Sequence, residues 1–313
     1  MDNRSAAVVG TGLIASGMAT LFAANGYRVK LLGTRAESCE RCRRSIEENF
    51  TELVEEGILQ PAWVRDYLRN ISFTTSCGDL GGESFVLEAV LENLEVKHAV
   101  YRALEEHCPP ETVIASATSA LSPDELARPL RRKERLIVAH PWNPAHLIPC
   151  VEVVRSADTS RETLDTVCRV MESLGREVVV LRRSIEGFIG NRLQHALYRE
   201  ALYLVEQGVA TPRDIDRAVL SSFGPRFSSV GVLEYYDSCG LELQKGVQTY
   251  LYPTLCGAEG PQEPLLRALA EGKRGPASGA GIYEWDAEHR KEFRRRKSKP
   301  FFPCFTFRRP EES

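Results

Sequence analysis

The stretch that decides the fold runs from Ala6 to Arg35 and reads AAVVGTGLIASGMATLFAANGYRVKLLGTR. Ala6 to Val9 form a short apolar run typical of a buried strand, and Ile14 to Asn25 have the apolar spacing of a helix. Tyr27 to Leu32 form a second apolar run of strand type. Because a glycine-rich turn joins the first strand to the helix, the pattern predicts a strand–helix–strand unit.

The turn contains Gly10, Gly12 and Ala15 in the spacing G-x-G-x-x-A. Gly10 allows a tight turn, Gly12 lets the backbone approach a phosphate, and the small Ala15 lets the helix lie close to the strand. The free N–H groups at the helix start would face the anion. A glycine turn that binds nothing is the alternative, but the position between two strands favours a dinucleotide site.

The end of the second strand predicts which dinucleotide is preferred. A site for NAD(H) usually has Asp or Glu about 20 residues after the turn, where the carboxylate binds the ribose 2′-hydroxyl. This chain has Gly33, Thr34 and Arg35 there, so no acid repels a 2′-phosphate and a guanidinium is available to bind one. We predict NADP(H) as the preferred cofactor. NAD(H) is the alternative, in which Arg35 is only a solvated residue at a helix start.

Composition bounds the class of protein. The 313 residues suffice for two domains, and the net charge of −3 argues against a nucleic-acid or membrane partner. The chain has no apolar run of transmembrane length and no signal-peptide pattern, so we expect a cytoplasmic location. The nine scattered cysteines suggest reduced thiols. Cys39-x-x-Cys42 has no second ligand pair within reach, and no metal site is predicted.

Residues 1–182 are predicted to form an α/β domain of the Rossmann type, with a doubly wound sheet and a helical hairpin insertion at 36–70. The further strands are predicted at Ile71 to Thr74, Phe85 to Glu88, Thr112 to Ser116, Leu136 to Ala139, Val151 to Val154 and Glu177 to Val180. Ligands of such sheets bind beyond the carboxyl ends of the strands, so residues just after the strands are the candidates for chemistry.

Residues 183–313 are predicted to form an all-helical C-terminal domain. Gly187 to Gly208 suggests one long helix, and Thr211 followed by Pro212 is typical of the start of another. Its apolar faces need a partner, either the first domain or another copy of the chain. The basic run from His289 to Lys299 is interpreted as a solvated helix end rather than a nucleic-acid patch.

Four polar residues stand at predicted strand ends or at a helix start: Ser119, His140, Glu152 and Asn191. Beside a nicotinamide, His140 would take the hydroxyl proton as hydride leaves, because imidazole titrates near working pH. Glu152 would hold the second ring nitrogen, and Ser119 and Asn191 would orient the substrate oxygen. Helix capping, backbone bonding and solvation are structural alternatives for the other three. A purely structural role explains His140 less well, because two prolines restrict the loop His-Pro-Trp-Asn-Pro.

At this point the chain resembles a known family, the L-3-hydroxyacyl-CoA dehydrogenases, and within it the branch of lambda-crystallin and L-gulonate 3-dehydrogenase; it is also similar to carnitine dehydrogenase. The matching motifs are the phosphate turn, Glu88-Ala89-Val90-x-Glu92 with Lys97, Ser116-Ala117-Thr118-Ser119, His140-Pro-Trp-Asn-Pro, Glu152, and Gly187-Phe188-Ile189-x-Asn191-Arg192. They occur in the family's order and spacing up to about Trp285.

The resemblance implies that His140 is the catalytic residue and that Glu152 is its partner. It also implies that the cofactor is contacted by Leu13, Ile14, Glu92 and Lys97, that the substrate is contacted by Ser119 and Asn191, and that the helical domain forms a homodimer. Two departures matter. Gly33 replaces the usual ribose-binding Asp, and Ala117 replaces an Asn of the acyl-CoA enzymes.

Two features argue against a CoA thioester as substrate. The hairpin that would face CoA has five acids without a Lys or Arg among them: Glu47, Glu48, Glu52, Glu55 and Glu56. Such a surface suits a phosphorylated nucleotide poorly. Arg226 occurs where lambda-crystallin and carnitine dehydrogenase relatives also have Arg, and a guanidinium suits a free carboxylate. A salt bridge to Glu234 is the structural alternative. The pocket is predicted to include Trp142, His146, Phe227 and Tyr235 or Tyr236.

The sequence therefore predicts an oxidoreductase that transfers hydride between NADP(H) and a small 3-hydroxy or 3-oxo acid with a free carboxylate. The alternative enzyme is a dehydrogenase of short-chain 3-hydroxyacyl-CoA thioesters. The alternative outside enzymes is a crystallin-like structural protein that binds a dinucleotide, although a structural role needs none of the four polar residues.

Overall fold

The predicted strand–helix–strand unit supplies two adjacent strands of an eight-stranded sheet in the computed structural model, which describes residues 4–310. The strands are β1 Ser5–Val9, β2 Arg28–Leu32, β3 Ile71–Thr74, β4 Phe85–Glu88, β5 Val113–Ser116, β6 Leu136–Pro141, β7 Cys150–Arg155 and β8 Glu177–Val180. Their order in the sheet is β3-β2-β1-β4-β5-β6-β7-β8. The doubly wound sheet is thus confirmed.

Strand direction changes once across this sheet. The first six strands in the chain are mutually parallel, β7 runs antiparallel to β6, and β8 is parallel to β7. β2 and β3 lie on one side of β1 in the sheet, and β4 to β8 lie on the other side. The strand order therefore switches between β1 and β4. Dinucleotides bind at such a switch, beyond the carboxyl ends of the strands.

Thirteen helices are found among residues 4–310. They are α1 Leu13–Ala24, α2 Ala36–Glu55, α3 Pro61–Arg69, α4 Leu94–His107, α5 Pro123–Ala127, α6 Arg161–Ser173, α7 Gly190–Glu206, α8 Pro212–Ser221, α9 Phe223–Arg226, α10 Val232–Ser238, α11 Leu241–Leu251, α12 Glu263–Ala270 and α13 Ala287–Ser298. The helix predicted from Gly187 begins three residues later at Gly190. Gly187 and Phe188 have positive φ angles of 74° and 51°, which a right-handed helix does not accommodate.

The core lies on both faces of the sheet, and β1 shows why. Ala6 and Val8 point into one buried cluster with α1, whereas Ala7 and Val9 point into another with α4. All four are 0–3% exposed, as the near-continuous apolar run of a parallel strand requires. Because helices cover both faces, polar residues can reach a ligand only at the strand ends.

The described chain divides into two units: residues 4–189 with 295–310, and residues 190–294. The first contains the sheet and the second is all-helical. The sequence assigned 183–313 to one helical domain, but residues 299–309, here called the C-terminal segment, pack with the sheet unit. Arg308 donates its N–H to Ala24 O at 2.8 Å, and the Tyr67 hydroxyl donates to Arg308 O at 2.8 Å.

All nine cysteines are free, including buried Cys39 and Cys42. Within residues 4–310, no group of three or more His, Cys, Asp or Glu side chains is arranged to hold a metal ion. In the same range no helix is both long and apolar enough to cross a membrane.

Candidate active site

The centre of the site is a histidine–carboxylate pair on neighbouring antiparallel strands. The register of β6 and β7 places His140 directly opposite Glu152, and His140 Nδ1 lies 2.9 Å from Glu152 Oε2. Both are buried, with 6% and 2% of their surfaces exposed. His140 is the second-last residue of β6 and does not lie in the loop that follows the strand. The register therefore brings together a pair that is twelve residues apart in sequence.

The second oxygen of Glu152 accepts a hydrogen bond from the segment just before α7. The sequence did not predict that this segment contributes to the site. Ile189 donates its backbone N–H to Glu152 Oε1 at 2.8 Å. Ile189 comes directly after Phe188 in the chain. Phe188 has a φ of 51°, which is rare for a bulky residue, and its ring centre lies 5.6 Å from that of His140. The centre of the Trp142 ring also lies close to His140, at 5.4 Å from the centre of the imidazole ring. The family motif at Gly187-Phe188-Ile189 could have indicated this contact, but the sequence analysis interpreted it as the start of a helix.

The phosphate turn has the shape that a dinucleotide requires. A Cβ at Gly10 would collide with the backbone of Ala89, and the φ of 124° also favours glycine. A Cβ at Gly12 would meet nothing within 4 Å, so the space beside it is open. The first turn of α1 has no side-chain cap and no acid, and Leu13 is 70% exposed. Its free N–H groups can bind a pyrophosphate.

A side chain at the position of the usual ribose-binding acid would require neighbouring side chains to move. A Cβ added at Gly33 would lie 2.5 Å from Cys39 Sγ and 2.9 Å from Thr11 Cγ2. Thr34 and Arg35 follow and are exposed. Arg35 takes part in no salt bridge in the part of the chain that the structure describes.

Ser119 lies in a loop organised by Glu92. The Glu92 carboxylate accepts hydrogen bonds from the Thr118 hydroxyl and from the Ser119 N–H, the latter at 3.0 Å. Partial burial alone would raise the pKa of Glu92, but the Thr118 hydrogen bond, the Lys97 charge and the Ser119 N–H outweigh it and lower the pKa. Glu92 thus stays ionised and joins the loop after β4 to the loop after β5.

Lys97 serves the same two loops from inside the protein. It is 1% exposed, and its Nζ lies 2.7 Å from Glu88 Oε1 and 3.4 Å from Glu92 Oε2. Glu88 also accepts hydrogen bonds from the Tyr101 and Ser116 hydroxyls at 2.6 and 2.7 Å. Burial and the Glu88 charge raise the pKa of Tyr101 well above its usual range. This buried network was not predicted, and within it Lys97 fixes acids; its contact with the cofactor stays a prediction.

Asn191 and Arg226 lie in the helical unit. Asn191 is in the first turn of α7 and is half-buried. Arg226 ends the short helix α9, and its guanidinium lies 4.2 Å from the centre of the Tyr235 ring. Among the salt bridges of residues 4–310, none joins Arg226 to Glu234, so the structural alternative for this arginine is not found.

His146 does not belong with the predicted pocket residues. It is 4% exposed, lies on the core beneath the C-terminal segment, and has its ring centre 6.4 Å from that of Phe305. Neither ring nitrogen has a hydrogen-bond partner. The prediction failed because His146 lies five residues beyond the end of β6, where the chain has already turned back into the core beside Gly17 of α1.

The fold and the site together define a dehydrogenase-type dinucleotide-binding protein, and comparison with known proteins identifies its family. Residues 5–184 match the model of the 3-hydroxyacyl-CoA dehydrogenase NAD-binding domain, and residues 187–285 match the C-terminal domain of the same family. The chain belongs to the 3-hydroxyacyl-CoA dehydrogenase family.

Three relatives show the breadth of this family. The chain is 30% identical to 5-formyl-3-hydroxy-2-methylpyridine 4-carboxylate 5-dehydrogenase of Mesorhizobium japonicum over 95% of both chains. A solved structure of a protein with that activity, described as an NAD+-dependent dismutase, superposes with a TM-score of 0.87 over 96% of each chain at 30% identity. The chain is 36% identical to L-carnitine dehydrogenase of Oceanobacillus iheyensis over 76% of each, and 32% identical to the lambda-crystallin homologue of Rattus norvegicus over 72% of each.

Proposed function

We propose that this protein interconverts a small 3-hydroxy acid and the corresponding 3-oxo acid, with NADP(H) as the preferred cofactor. The observation that carries the proposal is the buried His140–Glu152 pair, held at the end of β6 between two aromatic rings. Membership of a family of dinucleotide-dependent dehydrogenases supports the reaction type.

His140 is proposed as the general base and acid. The Glu152 carboxylate accepts from Nδ1–H, which leaves Nε2 as the nitrogen that takes the substrate hydroxyl proton. The imidazolium formed is stabilised by the same carboxylate, which Ile189 N–H keeps in place. The dinucleotide, when bound, supplies the site that accepts or donates hydride. Ser119 and Asn191 are proposed to orient the substrate oxygen, and Trp142 to cover the reacting carbon from water.

The proposed preference for NADP(H) rests on what surrounds Gly33. An aspartate there would have to displace Cys39 Sγ, and the glycine itself offers no carboxylate to bind the ribose 2′-hydroxyl. The exposed Arg35 guanidinium has no salt-bridge partner among the described residues and can take the 2′-phosphate instead. The solved structure of a relative with the same named activity is described as that of an NAD+-dependent dismutase, and NAD(H) is the alternative cofactor here.

Replacement of Arg35 tests this preference directly. Arg35→Gln is expected to raise KM for NADPH by about tenfold while leaving KM for NADH unchanged, because a charge-assisted contact is worth about 1.5–3 kcal/mol. Arg41→Gln removes the same charge from the exposed face of α2 and is the matched control. Equal effects of the two substitutions would contradict the proposal. A switch to NADH requires Gly33→Asp together with Cys39→Ala and Arg35→Ile.

A free carboxylate is proposed on the substrate because of Arg226. Its guanidinium stacks on Tyr235 without a carboxylate partner, which leaves its hydrogen-bond donors available. The name of the M. japonicum relative also specifies a carboxylate. Of the five acids predicted to oppose CoA, Glu47, Glu48 and Glu55 lie exposed on α2, and Glu56 just after it pairs with Arg295 at 3.2 Å. This surface still opposes a phosphorylated CoA.

The substrate class is tested with a panel of small 3-hydroxy acids and 3-hydroxybutyryl-CoA, each assayed with NADP+ and NAD+. We expect turnover of free acids, and Arg226→Gln is expected to raise their KM about tenfold or more without changing the KM for the cofactor. Turnover of the thioester alone would establish the alternative enzyme. No turnover with any substrate, together with intact cofactor binding, would favour the crystallin-like role.

A homodimer formed by the helical unit is also proposed. In this unit α8, α9, α10 and α11 contain no buried residue, and Leu233 and Tyr250 are each 85% exposed. Exposed apolar surface of this extent indicates an interface. Sedimentation equilibrium should give twice the chain mass of 35.0 kDa, and Leu233→Asp with Tyr250→Asp should give the chain mass.

A further inference from the structure

A cleft of about 350 Å³ in the sheet unit is lined by residues that take no part in the proposed active site. Its walls include Arg155 at the end of β7, Arg182 and Arg183 just after β8, and Asp124 in the first turn of α5. The volume falls within the range of small-molecule sites, roughly 300–1,000 Å³. We call this feature the arginine cleft.

The arginine cleft lies at the opposite end of the strands from the dinucleotide turn. Arg155 pairs in register with Ile137, near the start of β6, whereas His140 and Gly10 lie at carboxyl ends of the parallel strands. A ligand in this cleft is therefore not part of a cofactor bound at Gly10.

Positive side chains lie at or just beyond the ends of two neighbouring parallel strands here. Val153 of β7 pairs with Val180 of β8, so Arg155 and Arg182 each follow two residues after a paired position on parallel neighbouring strands. Like charges side by side on neighbouring strands destabilise a sheet. Among residues 4–310, no salt bridge involves Arg155, Arg182 or Arg183, and all three are exposed. The protein therefore supplies no counter-charge within ion-pair distance.

The one acid of the arginine cleft is committed elsewhere. Asp124 Oδ1 accepts the Ala157 N–H at 2.7 Å, which ties the loop after β7 to α5. In the same loop, Ser156 and Thr159 bond each other's hydroxyl and N–H groups at 2.9–3.1 Å, so the wall below the arginines is fixed. Three positive and one negative side chain leave a net charge of +2.

We propose that the arginine cleft binds a phosphate group, either inorganic phosphate or a phosphate monoester. A phosphate monoester has a charge between −1.5 and −2 at neutral pH, which matches the net charge of the cleft. Guanidinium groups bind phosphate oxygens through paired, charge-assisted hydrogen bonds, and three of them can surround one phosphate. A single carboxylate would leave a positive charge uncompensated.

Calorimetric titration of the full chain with inorganic phosphate at constant ionic strength tests the proposal. The R182Q/R183Q variant is expected to bind phosphate about tenfold more weakly than the unmodified protein or not at all. The matched control, R128Q/R161Q, removes two exposed arginines of the same unit and should bind as the unmodified protein does. The dinucleotide site is the same in all three proteins. Any phosphate bound at that site therefore contributes equally and does not affect the comparison. Equal phosphate affinity of the three proteins would overturn the proposal.

The source of the phosphate is identified by repeating the titration with glycerol 3-phosphate. Tighter binding than inorganic phosphate supports a monoester, and weaker binding supports the free ion. Protection from phenylglyoxal provides a test that does not depend on the folding of a variant. Phosphate should slow modification of Arg182 and Arg183 in the unmodified protein, mapped by mass spectrometry, relative to Arg161. Equal rates at all three positions with and without phosphate would contradict the site.

Discussion

Two histidines six residues apart have opposite environments. His140 and His146 are equally buried, at 6% and 4% exposure. His140 faces the Glu152 carboxylate at 2.9 Å, whereas both nitrogens of His146 lack a hydrogen-bond partner. Burial, followed by the charge of Arg176, lowers the pKa of His146 to about 4. A buried histidine is suited to proton transfer only when a neighbouring group stabilises its charged form, and this distinction separates the two.

The largest expected difference between them is in catalysis. His140→Ala is expected to lower kcat by about a thousandfold, because the proposed acid–base group is lost. Dinucleotide affinity, measured by NADPH fluorescence titration, should not change. His146→Leu is the matched control and should keep kcat at pH 7.5. Retained turnover in His140→Ala would remove the basis for the proposed mechanism.

Replacement of the carboxylate sharpens the role of the pair. Glu152→Gln keeps an acceptor for Ile189 N–H but removes the negative charge that stabilises the imidazolium, so kcat should fall by about a hundredfold. Glu177→Gln, on exposed β8 beside it, is the control and should have no effect. Steady-state kinetics at saturating cofactor provides the measurement. A loss confined to KM would point to a substrate contact instead.

The stability of the protein should depend on pH through His146. Its pKa is about 4 when folded, against an ordinary value of 6.5, so the unfolded chain binds the proton more readily. Stability is therefore complete above about pH 6.5 and decreases as the pH falls toward 4, by about 2 kcal/mol at pH 5. Urea unfolding at pH 7.5, 6 and 5 should show this loss in the unmodified protein and in the control His107→Gln. His146→Leu should show a smaller loss, and an identical pH dependence would exclude His146 as its source.

The smallest effect is expected where the C-terminal segment covers His146. Thr306 donates its hydroxyl to Leu174 O at 2.6 Å, and Thr306→Val removes this bond at a cost of about 1 kcal/mol. Thr254→Val removes a similar bond from an exposed turn of the helical unit and should cost less. Thermal unfolding compares the two, and equal shifts in Tm would show that the C-terminal segment adds no more than a surface turn.

Local patterns predicted most of the fold. The glycine turn and the apolar runs depend on backbone geometry and burial within a few residues, and so β3, β4 and β8 have their predicted bounds. The His140–Glu152 pair was also predicted, although its register was not. The network around Glu88 was missed, because its donors come from separate elements that only the folded sheet brings together.

The errors in the site have the same physical origin. The positive φ of Phe188 accompanies the packing of its ring against His140, and no residue type in that stretch signals it. His146 was assigned to the pocket because polar side chains near a strand end are candidates for chemistry. Its burial depends on Phe305, which is 159 positions further along the chain and arrives only through tertiary packing.

The return of the C-terminal segment has a consequence for biosynthesis. Asn25, at the end of α1, bonds Thr306 O across 281 residues at 2.9 Å. A ribosome must therefore translate the entire helical unit before the nucleotide-binding unit can acquire its final contacts. Until then the apolar surface that receives Phe302 and Phe305 stays exposed to water.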